Sequence, residues 1–264
     1  MLKMKKTLTL LAAALLLAGS CNGPSSGEAL LLDKDNIPEI VKAMTLEEKC
    51  HLVVGGQQKD VLDSTDQILM ASTRKLVPGS AGTTYPVERL GIPAIVLADG
   101  PAGLRISPTR QNDTASYYCT GFPTGTLLAS SWDPGMVEAV GRAMGEEVLE
   151  YGVDVLLAPG ANLHRNPLCG RNFEYYSEDP LLSGTMAAAF INGVQSNGVG
   201  TSLKHFAVNN SEINRLACDS RVSVRALREL YLRNWEIALR QSAPWTIMTS
   251  YNYLNGVYTS EDPE

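Results

Sequence analysis

Residues 153–180 read VDVLLAPGANLHRNPLCGRNFEYYSEDP, and this stretch indicates both the fold and the place of the chemistry. The apolar run at residues 155–158 predicts a short buried strand. The polar and aromatic segment at residues 159–178 follows, and its many charged groups are not expected in a core. Asp179-Pro180 then predicts a helix start, with a capping carboxylate before a first-turn proline. A polar loop that leaves a buried strand is where α/β enzymes place binding residues.

The same alternation of strand and helix patterns extends on both sides of this stretch. Apolar runs at residues 94–98, 126–130, 201–203 and 246–248 predict strands. Amphipathic patterns predict helices at residues 134–151, 180–195 and 223–241. Upstream, Thr45 and Glu48 match a capping box and predict another helix start. Short strands that alternate with helices favour a parallel sheet with right-handed crossovers.

Polar or aromatic residues follow the predicted strands at their carboxyl ends: Asp99, Trp132, residues 159–178, Lys204-His205 and Tyr251. This placement predicts an α/β protein with a (β/α)8 TIM-type barrel, because a barrel holds its active site at that face. An open doubly wound sheet also binds ligands there, but the sequence has no glycine-rich phosphate-binding motif. Only about five strands are predicted, so the barrel is expected to be incomplete at its C-terminus.

The N-terminus has the pattern of an exported protein. Lys3, Lys5 and Lys6 precede an apolar run at residues 8–18, which predicts a signal peptide at residues 1–20. Small residues lead directly to Cys21, so we expect Cys21 to be lipidated and the protein to be anchored in the bacterial envelope, in the periplasm or at the cell surface. The alternative is an ordinary signal peptide near a chance cysteine. Residues 21–35 are then a tether, and residues 36–264 the partial barrel domain.

Composition and residue spacing narrow the kinds of partner. The 264 residues are 44% apolar and carry a formal net charge of −6, without a basic block beyond the N-terminus, which argues against nucleic acid as a partner. The three histidines lack metal-binding spacing, and no metal or cofactor is expected: they are His51, His164 and His205. Four cysteines besides Cys21 allow three disulfide pairings or none: Cys50, Cys119, Cys169 and Cys218.

Two positions at predicted strand ends suit the binding of sugar hydroxyls. Asp99, on the turn at residues 99–101, could accept hydrogen bonds from two neighbouring hydroxyl groups, although it could equally be a turn residue. Lys204 is costly to bury without a partner, so its place at a sheet end suggests a polar cavity. His205 could donate or accept there. A structural ion pair and a satisfied core histidine remain the alternatives.

The polar loop and the last strand end add further candidates. Arg171 lies where a turn could aim its guanidinium into the site, and Glu174 could pair with it and hold its rotamer. His164 and Arg165 could equally be solvated. We expect Tyr175 and Tyr176 to serve packing. Tyr251-Asn252 could be a site element or only a strand end.

Four motifs in order carry a resemblance to a known family: DGPAGLR, NLHRNPLCGRNFEYYSEDP, SLKHFAVNN and MTSYNYLNG. They resemble the N-terminal barrel domain of glycoside hydrolase family 3, with bacterial β-glucosidases as the nearest likeness, over residues 40–264. The resemblance implies a pocket for the terminal non-reducing sugar, lined by Asp99, Arg105, Arg171, Lys204 and His205. It implies that Tyr251 lies beside the nucleophile of a retaining, double-displacement mechanism.

The sequence departs from the family pattern at its catalytic carboxylates. The family's nucleophile is an aspartate in a Ser/Thr-Asp-Trp motif a few tens of residues beyond the tyrosine, and no such motif follows Tyr251. The acid/base comes from a following domain. Glu261, Asp262 and Glu264 match a helix-start pattern and are not candidates. The expectation is therefore a fragment with no catalytic carboxylate.

The resemblance also narrows the substrate to β-linked glucosides or short oligosaccharides. β-N-acetylglucosaminidases of the family have Pro-Gly-His-Gly after the Lys-His pair, whereas residues 206–210 here read FAVNN, which disfavours that activity. β-Xylosidase remains open, because glucose and xylose differ by one hydroxymethyl group. A non-catalytic sugar-binding lipoprotein is the alternative from another class.

Overall fold

The computed structural model describes residues 29–55, 76–110 and 112–263. The predicted signal peptide, Cys21 and the first part of the predicted tether lie outside them. The helices are α1 (Ile37–Ala43), α2 (Leu46–Val54), α3 (Gly125–Ala129), α4 (Pro134–Glu150), α5 (Pro180–Gln195), α6 (Val224–Ala226) and α7 (Arg233–Gln241). The strands are β1 (Gly82–Thr83), β2 (Val96–Asp99), β3 (Val155–Leu157), β4 (Gly200–Phe206), β5 (Asp219–Ser220), β6 (Thr246–Thr249), β7 (Tyr253–Leu254) and β8 (Val257–Tyr258).

A mainly parallel sheet organises the described part of the chain. Its strand order is β1-β2-β3-β4-β6, in which β2, β3, β4 and β6 are parallel and β1 is antiparallel. The α/β class and the parallel order are therefore confirmed. The register pairs Asp99 with Leu157 and Lys204 with Met248, so these residues approach the same edge of the sheet. A second sheet, β5-β7-β8, was not predicted.

Helices α4 and α5 pack on each other and bury one face of this sheet. On α4 the apolar stripe is buried at Val137, Met144 and Val148, as its helical spacing predicts. Helix α5 is apolar nearly all round and is buried along most of its length, including Phe190 and Ile191. Together with Leu156 and Leu203 of the strands they form the main core cluster.

Gly193 lets α4 and α5 approach closely. A Cβ atom at this position would lie 2.1 Å from the carbonyl oxygen of Glu138, a backbone atom of α4. We expect Gly193→Ala to lower the free energy of unfolding by about 3 kcal/mol, because the helices must separate to accept it. Urea unfolding measures the change. In the control Gly82→Ala the new Cβ meets no atom within 4 Å, so an equal loss in both variants would contradict the packing argument.

The apolar run at residues 126–130 was predicted as a strand, and this prediction is wrong. It lies largely in helix α3, which begins after Thr124 in extended conformation. The Thr126 hydroxyl donates to the backbone oxygens of Asn172 (2.9 Å) and Tyr175 (3.1 Å), which ties the helix to the polar loop. A short apolar run has no period of its own, so length alone could not separate a strand from a buried helical turn.

The single helix predicted over residues 223–241 is interrupted. Ser223 caps α6 by accepting the N–H of Ala226 at 3.2 Å, and a π-helical segment, Leu227–Tyr231, separates α6 from α7. There the N–H of Leu232 donates to the oxygen of Leu227, five residues earlier, at 2.8 Å. Trp235 on α7 is nevertheless buried in the main core, as the amphipathic pattern of this segment predicts.

The capping box at the start of α2 is confirmed. Thr45 accepts the N–H of Glu48 at 3.2 Å, and the Glu48 carboxylate accepts the N–H of Thr45 at 2.8 Å. Arg89 donates to both oxygens of the same carboxylate, which joins α2 to the segment before β2. Within the predicted tether, Leu32 donates its N–H to the oxygen of Leu90 at 2.8 Å.

The four cysteines in the described ranges are free thiols: Cys50, Cys119, Cys169 and Cys218. The sequence allowed three disulfide pairings or none, and in the structure these four cysteines are unpaired. None of the helices in these ranges has both the length and the apolar character needed to cross a bilayer.

Candidate functional site

A cavity of about 840 Å³ opens at the carboxyl edge of the parallel sheet. This volume lies within the usual range of small-molecule sites. The six residues predicted to bind substrate all line it: Asp99, Arg105, Arg171, Lys204, His205 and Tyr251. Strand β2 delivers Asp99, β4 delivers Lys204 and His205, and Tyr251 follows β6. The parallel register brings these strand ends together.

Half of the loop at residues 159–178 is buried, which corrects the expectation that its composition keeps it out of the core. Glu174 is 3% exposed, Tyr175 is 0% and Tyr176 is 4%. Burial is tolerated because the polar groups have partners: Glu174 is ion-paired, and the Tyr175 hydroxyl is hydrogen-bonded. The predicted packing role of both tyrosines is confirmed by this burial.

Five side chains form a ladder of alternating charge along the cavity wall. The Arg105 guanidinium lies 3.1 Å from Asp99 Oδ2, and Lys204 Nζ lies 3.8 Å from Asp99 Oδ1. Lys204 Nζ is also 3.5 Å from Glu174 Oε2, and the other oxygen of Glu174 accepts from Arg171 Nε. The predicted pairing of Arg171 with Glu174 is confirmed. The charge order is therefore plus, minus, plus, minus, plus.

Lys204 and Glu174 are the buried centre of this charge ladder. Burial lowers the pKa of Lys204, and the charges of Glu174 and Asp99 offset part of that effect. Burial also acts to lower the pKa of Arg171, but the hydrogen bond and charge of Glu174 outweigh it, so that pKa is raised. Each buried charge thus has an opposite charge beside it, as burial requires.

His205 is the neutral member of the cavity wall. Burial, together with the positive charges of Arg171, Lys204 and Arg215, lowers its pKa from 6.5 to about 2. The folded protein therefore binds no proton at His205 in the range where the unfolded chain takes one up. Because the folded pKa lies below the unfolded one, His205 opposes folding increasingly as the pH falls from about 6.5 towards 2.

The model for the glycosyl hydrolase family 3 N-terminal domain matches residues 41–264. The chain belongs to glycosyl hydrolase family 3. The match covers most of the sequence, including the four strand ends that build the cavity wall.

Relatives within family 3 are much longer than this chain. It is 47% identical over 234 residues to thermostable β-glucosidase B of Acetivibrio thermocellus, which covers 86% of this chain and 27% of the relative. It is 44% identical over 228 residues to an exo-α-(1→6)-L-arabinopyranosidase of Bifidobacterium longum, with 84% and 27% covered. The chain thus spans about a quarter of the length of these curated relatives.

A solved structure from the same family has the same fold over the matched part. β-Glucosidase 3B from Thermotoga neapolitana, in complex with α-D-glucose, aligns with a TM-score of 0.79 and 58% sequence identity. The alignment covers 85% of this chain and 30% of that one.

Several candidates from the sequence lie away from the cavity of this family 3 chain. Trp132, predicted at a strand end, is 74% exposed on the turn before α4, because the run before it is helical. His164 Nε2 contacts the backbone oxygens of Asn172 and Tyr175 at 2.9 and 3.0 Å, so it holds the loop together. Arg165 lies over the ring of Tyr231 at 5.7 Å.

Sequence reasoning missed Arg215 as a residue of the cavity wall. Arg215 donates to Glu212 at 3.1 Å and lies over the ring of Tyr251 at 4.8 Å. The spacing of three residues between Glu212 and Arg215 could have suggested the ion pair. Its position beside Tyr251 depends on β6 and could not be read from the sequence. The part of the chain that the structure describes has no group of three His, Cys, Asp or Glu side chains able to hold a metal ion.

Proposed function

We propose that the protein hydrolyses terminal non-reducing β-D-glucosyl residues of β-glucosides and short oligosaccharides. The observation that carries the proposal is the charge ladder at the carboxyl edge of the sheet, which offers fixed donors and acceptors to a polyol. The family membership and the β-glucosidase relatives support the same reaction class.

Each residue of the cavity has a role that follows from its chemistry. Asp99 accepts hydrogen bonds from two neighbouring sugar hydroxyls, while Lys204 and Arg171 donate to hydroxyl oxygens. His205 contacts a further hydroxyl. Tyr251 lies beside the reacting carbon. Their shared effect is to hold the sugar ring in one orientation, which lowers the entropic part of the barrier.

We assign the covalent steps to carboxylates outside this chain. In a retaining mechanism one carboxylate attacks the anomeric carbon while a second protonates the leaving oxygen, and water then releases the sugar. Asp99 and Glu174, which line the cavity, are already paired with cations and serve binding instead. We further propose that the sheet belongs to a (β/α)8 barrel and that the protein is exported and lipid-anchored through Cys21.

A pentopyranoside is the second candidate substrate. One relative, 44% identical, is named for an L-arabinopyranoside activity. Glucose carries one hydroxymethyl group more than a pentopyranose, and a difference of that size changes selectivity by only about 1–3 kcal/mol. The walls of the cavity therefore decide between the two.

A panel of aryl glycosides tests the proposal on the protein made from its complete reading frame. We expect release of the aryl group from the β-D-glucoside, slower release from the β-D-xyloside and α-L-arabinopyranoside, and none from the α-D-glucoside. A preference for either pentoside would favour the second candidate. Failure to cleave any of the three accepted substrates would refute both.

A further inference from the structure

A chain of hydrogen bonds runs behind the cavity wall from His205 to Glu212. His205 Nδ1 lies 3.0 Å from the hydroxyl oxygen of Tyr175, and the amide nitrogen of Asn209 lies 2.9 Å from that same oxygen. The Asn209 amide nitrogen also lies 3.0 Å from Glu212 Oε1. His205, Tyr175 and Asn209 are each at most 4% exposed, so solvent does not compete with these bonds.

Glu212 determines which group donates and which accepts in each of these hydrogen bonds. Its other oxygen accepts from Arg215 at 3.1 Å, and a carboxylate in this role can only accept. Asn209 must therefore present its NH₂ group to Glu212, and the second N–H of that group reaches the Tyr175 oxygen. Since this oxygen accepts from Asn209, the Tyr175 hydroxyl proton is free to be donated to His205 Nδ1.

We propose that Asn209 is a positioning residue that holds His205 in the tautomer with its proton on Nε2. With Nδ1 accepting from Tyr175, the proton of the neutral ring must lie on Nε2. Nδ1 is the ring nitrogen with a partner among the described residues, and His205 lines the cavity, so the Nε2–H group is left for a ligand.

Two observations support a fixed tautomer. The backbone N–H of Asn209 donates to Asn162 Oδ1 at 2.8 Å, which anchors the segment that carries the amide. Burial and the neighbouring cations keep the pKa of His205 low, so the ring stays neutral and a tautomer exists to be selected. The acceptor of the Nε2–H group follows from the proposed function, on which this step rests. The group donates to a hydroxyl oxygen of the bound sugar.

Asn209→Asp tests the proposal with almost no change in shape. The new carboxylate oxygen takes the place of the amide nitrogen, 3.0 Å from Glu212 Oε1, and any proton that the two carboxylates share lies between them. The carboxylate oxygen at position 209 therefore accepts the Tyr175 hydroxyl proton, and the Tyr175 oxygen is left facing His205 Nδ1. We expect the single ring proton to move from Nε2 to Nδ1, which the ¹⁵N–¹H correlation spectrum of the imidazole ring shows at pH 7. The spectrum holds only three histidines, and His205→Gln identifies the signal of interest.

Tyr175→Phe gives a second route to the same readout if the aspartate variant folds poorly. It keeps the packed ring but removes the hydroxyl, so His205 should no longer show a single tautomer. Asn210→Asp is the matched control, because the side-chain amide of Asn210 is hydrogen-bonded to Asn162 and Tyr231, whereas the Tyr175 hydroxyl is hydrogen-bonded to His205 and Asn209. It should leave the His205 signals as in the wild type.

D-Glucose binding by the same variants separates this inference from the proposed function. We expect about 10-fold weaker binding by Tyr175→Phe than by wild type, as for the loss of one hydrogen bond. If the wild type carries its proton on Nε2 and Asn209→Asp moves one to Nδ1, but glucose does not bind, the positioning role stands and the proposed function fails. A wild-type ring with its proton on Nδ1, or an Asn209→Asp spectrum like that of the wild type, would overturn the inference.

Discussion

Glu174→Gln is expected to lower the free energy of unfolding by about 3–5 kcal/mol, the cost of removing one partner from a buried ion pair. Glu174 and Lys204 are almost fully buried, and their charged atoms lie 3.5 Å apart. The glutamine keeps the shape but leaves Lys204 and Arg171 facing each other without the carboxylate between them. The pKa of Lys204 should then fall further, because Glu174 is the largest charge that raises it.

Chemical denaturation at pH 7 measures this loss. The matched control is Glu178→Gln, four residues along the same loop, where the side chain is exposed and the change should stay within about 0.5 kcal/mol. A loss at Glu174 as small as the control's would mean that the charge ladder contributes nothing to the fold.

Asp99→Ala is expected to reduce kcat/KM for an aryl β-glucoside by two to four orders of magnitude. The proposed site uses Asp99 to accept from two sugar hydroxyls, and a hydrogen bond to a charged group contributes about 1.5–3 kcal/mol. Two such bonds correspond to about 3–6 kcal/mol of transition-state binding. Arg105, which pairs with Asp99, is well exposed and can be solvated in the variant.

Asp35→Ala serves as the control for this measurement, since Asp35 is exposed near the N-terminus and does not line the cavity. Thermal unfolding of both variants shows whether the fold survives. A folded Asp99→Ala protein with nearly wild-type kcat/KM would remove Asp99 from the sugar site, whatever the fate of the other residues.

Much of the fold could be predicted because local signals agreed with tertiary packing. Asp133 and Asp179 each precede a proline, and both cap helices that begin where expected. Val155–Leu157 form a buried strand because an uninterrupted apolar run suits a strand covered on both faces. At residues 126–130 the local pattern predicted a strand, but the segment is helical in the structure. There the Thr126 hydroxyl is hydrogen-bonded to the distant polar loop, a tertiary contact that the local pattern does not show.

Most members of the site could be predicted from the sequence, as could the pairing of Arg171 with Glu174, but the remaining partners could not. Lys204 suggested a polar cavity because a lysine at a sheet end needs a counter-charge, and that counter-charge proved to be Glu174 as well as Asp99. The burial of Glu174 could not be foreseen, since it depends on the ion pair with Lys204, about 30 positions along the chain. Arg215 was missed for the same reason.

The charge ladder also has a kinetic and entropic consequence. Lys204, Glu174 and Arg171 are long side chains whose rotamers are already restrained by one another before any ligand arrives. Freezing such chains on binding typically costs about 0.5–1.5 kcal/mol each. A polyol that enters this cavity therefore contacts side chains that are already held in position. We expect its association to require little rearrangement of the cavity wall.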